Sequence, residues 1–184
     1  MVDKDKIRQL WIEYFDTDQD TWRSGDVTIN PDGSVSVDDS VWLLKNTTSL
    51  PIKLKKIEGN FDASHSDLDN LTNFPDYVAS DLELRNNYLT HLLGAPAFVG
   101  NDLLLSGNPL RSLVGFPAHV GGTVSLDWNE HLPLLRVLLA KNTSILGNNK
   151  VHKILQKYAG QGKRAMFDAQ KSLEDAGFSE NARW

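Results

Sequence analysis

The sequence predicts an α+β solenoid, a single domain in which coils of 21 residues stack on one another. Three kinds of residue recur at this one spacing. They are leucine at Leu50, Leu71, Leu92, Leu113 and Leu134, a β-branched residue at Ile57, Val78, Val99 and Val120, and proline at Pro75, Pro96 and Pro117. A fixed period of about 20 to 50 residues is typical of arrays whose units bury their apolar sides only against their neighbours. We therefore assign residues 41–137 to the array, within one domain spanning residues 1–184.

The forty residues before the array predict a helix and a hairpin. Residues 4–15 place apolar side chains on one helical stripe, at Ile7, Leu10, Trp11, Tyr14 and Phe15. Val27 and Ile29 then alternate with polar residues, as do Val35 and Val37, and Asn30-Pro31-Asp32-Gly33 is strong turn chemistry between them. We expect residues 1–40 to cap the stack, because an end coil otherwise leaves its apolar face in water.

A second pattern lies inside each repeat. Leu103–Leu110 and Leu82–Leu89 fit the pattern L-x-L-x-x-N-x-L, Val124–His131 departs from it only at the last position, and Phe61–Leu68 has serine in place of asparagine. Val41, Leu43 and Asn46 form a degenerate first copy, one residue out of register. The pattern is the signature of leucine-rich repeats, in which L-x-L is a strand with alternate residues inward and the asparagine bonds the backbone at a sharp turn. The array is therefore expected to be leucine-rich-repeat-like.

A longer unit, L-x-G-x-P-x-x-V-G, occurs at Leu92–Gly100 and again at Leu113–Gly121. It resembles short leucine-rich-repeat-like proteins encoded by tailed bacteriophages. The closing segment, from Lys157 to Trp184, resembles the end of proteins in the same group, so the resemblance covers roughly residues 33–184. It implies a repeat fold and a phage origin, and it carries no assigned activity.

Two amphipathic helices are predicted after the array, within residues 145–184. Asn149 is expected to cap the first, whose apolar face carries Val151, Ile154, Leu155 and Tyr158, and Gly160 to end it. The second is expected from about Lys163 to Ala176, with its stripe at Met166, Ala169, Leu173 and Ala176 and its stop at Gly177. We expect this pair to form the C-terminal cap.

The outward strand positions of the array predict a binding surface. If the leucines of L-x-L face inward, the intervening residues must face outward, and stacked coils then align them in columns. The concave face predicted in this way carries Asp62, Glu83, Arg85, Leu104, Asp127 and Trp128. An ordinary solvated sheet face is the alternative. Trp128 and Arg85 favour binding, since tryptophan and arginine are common anchors of protein interfaces.

A further column, Tyr77, Phe98 and His119, precedes the β-branched ladder. Packing of these rings against the convex side is the favoured interpretation. A secondary binding strip is the alternative, and both are kept as expectations.

The sequence predicts neither a metal site nor another cofactor. After the acidic residues 16–20, Thr21 and Val27 stand where an EF-hand needs glycine and glutamate, so a solvated loop is expected there. The five histidines share no repeat column and have no ligand-like spacing to one another or to carboxylates. There is no cysteine, which removes disulfides, thiolate metal sites and cysteine nucleophiles. No convergent catalytic set is found, and we expect a protein that is not an enzyme.

The charge is unevenly distributed along the chain, and its hydropathy bears on the compartment in which the protein is expected. The net charge is −5, with −6 in residues 1–40 (four Lys/Arg against ten Asp/Glu) and +3 in residues 145–184 (seven against four). No apolar run approaches the roughly 18–20 residues that cross a bilayer, and the charged start is unlike a signal peptide, so a cytoplasmic protein is expected.

These features predict a protein-interaction module that binds or inhibits a host or phage protein through the concave face. A nucleic-acid-binding accessory protein acting through the basic C-terminal helices is the first alternative. A structural protein of the virion is the second.

Overall fold

The computed structural model describes residues 2–15 and 26–184, and the acidic segment 16–20 lies outside these ranges. The described residues form three α-helices, eleven β-strands and one 3₁₀ helix. In chain order these are α1 (Lys4–Tyr14), β1 (Val27–Ile29), β2 (Val35–Val37), β3 (Val41–Trp42), β4 (Leu54–Ile57), β5 (Phe61–Asp62), β6 (Tyr77–Val78), β7 (Leu82–Glu83), β8 (Phe98–Val99), β9 (Leu103–Leu104), β10 (His119–Asp127), the 3₁₀ helix (Leu135–Leu139), β11 (Ala140–Leu146), α2 (Asn149–Tyr158) and α3 (Lys163–Asp175).

The coils form two parallel β-ladders joined through β10. The first ladder contains β2, β4, β6, β8 and the start of β10, and the second contains β3, β5, β7, β9 and the end of β10. Paired strands of the middle coils are 21 residues apart, as in Tyr77 with Phe98 and Leu82 with Leu103. β11 pairs with β10 along both ladders. The predicted solenoid of 21-residue coils is therefore confirmed, with about five turns, whereas the strands of the first ladder that follow β2 were not predicted.

Alternation of burial along the second ladder explains the L-x-L pattern. Leu82 and Leu84 are completely buried, and Glu83 between them is only partly covered. The same holds for Leu103 and Leu105 around Leu104. Each coil thus sends its leucines into one shared core, because successive side chains of a strand point to opposite faces.

Buried asparagines connect the turns that follow the second ladder. Asn87 donates its side-chain NH₂ to the carbonyls of Ala63 (2.8 Å) and Leu84 (3.0 Å), and its Oδ1 accepts from the backbone N–H of Ser66 and Leu68, both at 3.0 Å. Asn108 repeats the arrangement one coil later, with donation to Leu84 and Leu105 and acceptance from Leu89. One side chain therefore satisfies backbone groups of two coils that would otherwise be buried without partners.

A second polar ladder, not predicted from the repeats, lies at the corner between the two strands of each coil. Oδ1 of Asn60 accepts from the N–H of Asp81 (3.1 Å), Oδ1 of Asp81 from the N–H of Asp102 (2.9 Å), and Oδ1 of Asp102 from the N–H of Thr123 (2.7 Å). These positions also recur every 21 residues, so this column of Asn and Asp residues is visible in the sequence.

Close backbone contact between coils explains the V-G pair in the longer repeat unit. A Cβ placed on Gly100 would lie 1.8 Å from the carbonyl oxygen of Ala79 in the preceding coil. We expect Gly100→Ala to lower the free energy of unfolding by about 3 kcal/mol, since backbone atoms in a packed stack cannot move aside. Chemical denaturation followed by circular dichroism measures this.

Gly177→Ala is the control, because no atom lies within 4 Å of its added Cβ and only the positive φ of 87° is strained, at a cost of about 1–2 kcal/mol. Equal losses for the two variants would contradict the close approach of the coils.

The predicted N-terminal helix and hairpin are both present. Asp3 accepts a hydrogen bond from the N–H of Lys6 and begins α1, whose Trp11 ring stacks 4.7 Å from that of Phe15. Phe15 is fully buried and makes an antiparallel bridge to Leu43, beside β3. β1 pairs antiparallel with β2, which in turn pairs with β4.

The chain after Leu134 differs from the prediction in two respects. β11 continues the sheet through Leu146, beyond the predicted end of the array at residue 137. The cap of α2 is Asn148, not Asn149, because the Oδ1 of Asn148 accepts from the N–H groups of Lys150 and Val151. α3 runs from Lys163 to Asp175, close to its predicted bounds. None of the helices in the described ranges is long and apolar enough to span a membrane.

Candidate functional site

The outward face of the second ladder, hereafter the ladder face, brings together five of the six residues predicted to bind. Strand pairing aligns Asp62, Glu83 and Leu104 in one column. Arg85 and Asp127 lie in a neighbouring column two positions further along the chain. All five are partly or fully accessible to solvent. Their role in binding remains a prediction.

The centre of this face carries an exposed ion pair. Arg85 contacts Glu83 through one guanidinium nitrogen at 2.5 Å, and the two side chains are 45% and 28% exposed. Asp127 is already engaged, because its Oδ2 accepts from the backbone N–H of Gly107 at 2.6 Å. Arg85 keeps free donors, since a guanidinium has five N–H groups, so a partner can still bind it.

Trp128 directly follows Asp127, but its side chain is engaged with the C-terminal segment. It is half-buried against the core, and its indole N–H donates to Oδ1 of Asn181 at 3.2 Å. Asn181 also donates to the carbonyls of Asn129 and Leu132, both at 2.8 Å. The structure thus places Trp128 where it holds the C-terminal segment to the last coil, beside a cavity of about 370 Å³ that it lines with Phe178.

Three large apolar side chains lie at the ends of the ladder face and were not predicted to belong to it. Trp42 pairs with Asp62 in the next coil and is 45% exposed, and nearby Leu44 is 54% exposed. At the opposite end Leu146 pairs with Asp127 and is 44% exposed. The 21-residue period does not place Trp42 in the column of Asp62, because Val41 pairs with Phe61 at a spacing of 20 instead of 21. The degenerate first copy was indeed one residue out of step.

The rings of Tyr77, Phe98 and His119 form a stack along the first ladder. The Tyr77 and Phe98 centroids are 4.9 Å apart with an interplanar angle of 8°, and those of Phe98 and His119 are 4.6 Å apart at 9°. Tyr77 and Phe98 are half-buried and His119 is exposed. Each ring therefore lies on a strand and not on an irregular return segment, and its packing and its role in binding both remain predictions. The three residues belong to a β-ladder whose 21-residue register places one ring above the next.

Lys56 closes one end of this stack. Its Nζ lies 5.4 Å from the Tyr77 centroid and pairs with Glu58. The hydrogen bond that the Lys56 ammonium donates to the Glu58 carboxylate raises the pKa of Lys56 above its ordinary value.

Two basic side chains of the C-terminal helices make contacts within the protein. Nζ of Lys150 donates to the carbonyl of Ala176 and lies 5.6 Å from the ring of Phe178, and Lys157 lies over the ring of Tyr158. Lys150 thus joins the start of α2 to the end of α3. Across residues 2–15 and 26–184, no group of three or more His, Asp or Glu is placed to hold a metal ion.

No protein-family model, curated protein or solved structure matches the chain at a significant level. What the chain does must therefore be inferred from its own residues and their geometry.

Proposed function

We propose that the protein is a non-catalytic interaction module that binds a protein partner through the ladder face. The observation that carries the proposal is the composition of that face. It combines an accessible Arg85–Glu83 pair with large apolar side chains at both ends, Trp42 and Leu44 at one and Leu146 at the other. Exposed tryptophan and arginine on a regular strand surface are the residue types that dominate binding energy at protein interfaces.

The nature of the partner rests on the resemblance to short leucine-rich-repeat-like proteins of tailed phages. That resemblance is carried by the L-x-G-x-P-x-x-V-G units and supports a phage-encoded protein acting in the host cytoplasm. We therefore propose a host protein as the partner, with inhibition of a host enzyme or defence factor as the consequence. The choice of a host protein is an analogy from the fold. It can be tested because substitutions on the ladder face should weaken binding of that protein.

We also propose that the array is leucine-rich-repeat-like and closed at both ends. The asparagine network of Asn87 and Asn108 supports the repeat type. Burial of Trp11 and Phe15 beside β3 supports a cap at the first coil. Contacts of α2 and α3 with β11 and the 3₁₀ helix support a cap at the last. Capped ends leave the outward strand face as the regular surface available to a partner.

The test compares affinity capture from a bacterial lysate by three forms of the protein. These are the wild type, the ladder-face variant Trp42→Ala/Arg85→Ala, and the matched control Tyr88→Ala/Arg111→Ala. Tyr88 is 62% exposed and Arg111 is also exposed, and both lie outside the two ladders. We expect a captured host protein to be reduced at least about tenfold by the ladder-face variant, since each interface anchor contributes more than about 1 kcal/mol. The control should retain it.

If the ladder-face variant retained the captured protein and the control lost it, the binding site would lie on another surface. A captured set that disappears after nuclease treatment would instead favour the nucleic-acid alternative. Trp128 is left intact in every variant, because its replacement would release the C-terminal segment and confuse binding with folding.

A further inference from the structure

The aromatic stack ends beside an apolar cavity near the first ladder. The cavity measures about 360 Å³ and lies between β10, β11 and the turn that joins α2 to α3. Its lining includes His119, Leu139, Lys141, Lys163 and Met166. This volume falls within the range of about 300–1,000 Å³ that is typical of small-molecule sites.

The position of the cavity leaves one ring face available for stacking. β8 and β11 flank β10 on opposite sides, so the cavity wall formed by Leu139 and Lys141 lies on the side of His119 away from Phe98. The Phe98 ring covers one face of the imidazole, and at the other end of the stack Lys56 covers Tyr77. His119 therefore supplies the single open ring face of the column.

The polar part of the cavity is cationic. Lys141 and Lys163 both line it, and the lining contains no carboxylate, although the whole chain carries a net charge of −5. In the described ranges, the side chain of neither lysine forms a hydrogen bond, ion pair or ring contact. Two ammonium groups beside an apolar wall favour an anionic ligand, because their positive potential attracts a negative group to the cavity.

Two glycines of the α2–α3 turn line the cavity. The N–H of Gly160 donates to the carbonyl of Ala140 at 3.2 Å, which ties the turn to β11. A Cβ on Gly162 would meet no atom within 4 Å, so the mouth is unobstructed there. Gly162 precedes Lys163 without a capping side chain, so the first N–H groups of α3 add partial positive charge near this lysine.

We propose that this cavity binds a mononucleotide, with the base stacked on His119 and the phosphate held by Lys141 and Lys163. A planar ring for the open imidazole face and an anion for the unpaired lysines are both needed, and a nucleotide provides them in one molecule. A single-stranded nucleic acid fits less well, because strand binders need several open ring faces, and Tyr77 and Phe98 are already covered by their neighbours. The inference is independent of the ladder face.

Calorimetric titration with AMP, adenosine and ribose 5-phosphate tests the assignment. We expect AMP to bind the wild type at least about tenfold more tightly than either fragment, because base stacking and phosphate pairing each contribute about tenfold or more. His119→Ala should weaken AMP binding by about tenfold or more, and His119→Phe should restore it by keeping a ring face. Lys163→Ala should weaken AMP binding and leave adenosine binding unchanged.

Lys56→Ala is the matched control, since it removes a lysine from the closed end of the same stack, and it should leave AMP binding intact. Trp42→Ala/Arg85→Ala should also bind AMP normally, which separates this site from the ladder face. All variants lie at exposed positions and should melt as the wild type does.

Absence of AMP binding at millimolar concentration would overturn the proposal, as would equal affinity of His119→Ala and wild type. Competition by inorganic phosphate as strong as that by AMP would show that the ring plays no part. Tighter binding of oligo(dT), with several nucleotides occupied per protein, would replace the mononucleotide site by a nucleic-acid groove.

Discussion

Leu105→Asp is expected to unfold the protein. Leu105 is completely buried in the core that all coils share, and its neighbour along the ladder, Leu84, is equally buried. The change removes a large apolar side chain, at a cost of about 2–5 kcal/mol, and adds a carboxylate that has no partner there. Total stability of a domain is about 5–15 kcal/mol, so the sum approaches or exceeds it. Circular dichroism should show loss of the cooperative melt.

Leu93→Asp is the matched control, because the same substitution is made at a leucine that is 54% exposed. Its stability should change by less than about 0.5 kcal/mol, as is usual for surface positions. A wild-type melt for Leu105→Asp would contradict the inward register of the L-x-L strands.

Asn87→Ala should have the second-largest effect of the changes considered. Asn87 is 3% exposed, and its side chain serves the N–H groups of Ser66 and Leu68 and the carbonyls of Ala63 and Leu84. Alanine leaves these backbone groups without their partner in the interior. Each unsatisfied buried group costs about 1–3 kcal/mol, so we expect a loss of roughly 3–5 kcal/mol in the free energy of unfolding, after partial relaxation.

Asn101→Ala is the control, because it removes an asparagine that lies outside the buried network. Asn101 is exposed, and its side chain donates one hydrogen bond, to Oδ1 of Asp81. In urea denaturation, the free energy of unfolding of Asn101→Ala should lie within about 1 kcal/mol of the wild-type value. Comparable losses for Asn87→Ala and Asn101→Ala would mean that the buried network does not hold the coils together.

The stacking period was predictable from the sequence because the buried positions keep their chemical character from coil to coil. Leu82 and Leu103 occupy one site in successive coils, as do Val78 and Val99. The first ladder was harder to foresee. Its middle strands have one buried residue each, Val78 or Val99, whereas the equally short strands of the second ladder are followed by a further buried leucine that completes a visible alternation. Pairing with neighbouring coils, which is a long-range property, makes them strands.

β11 escaped prediction because it lacks the leucine pattern of the earlier coils. Its buried positions are Ala140, Thr143 and Ile145, a set that is neither leucine-rich nor strictly alternating. The strand is stabilised by its partner β10, which continues unbroken from His119 to Asp127. Gly121 and Gly122, in the middle of β10, pack against the backbone or side chains of the preceding coil.

The candidate ladder face was only partly accessible to sequence reasoning. Asp62, Glu83 and Leu104 follow from alternation within regular repeats. Trp128 shares a repeat column with Asn86 but not its left-handed backbone conformation, φ of 54° in Asn86. The partner of Trp128, Asn181, is 53 residues away along the chain, so their contact leaves no trace in the local sequence.

The most direct test of the ladder face as a binding surface is hydroxyl-radical footprinting of the protein with and without its captured partner. Oxidation reports on individual side chains, and large ones are exposed both on this face and outside the two ladders. We expect the partner to protect Trp42 and Leu44 and to leave Tyr88 and Leu93 as reactive as in the free protein. Protection of Tyr88 and Leu93 with unchanged Trp42 and Leu44 would contradict binding through the ladder face.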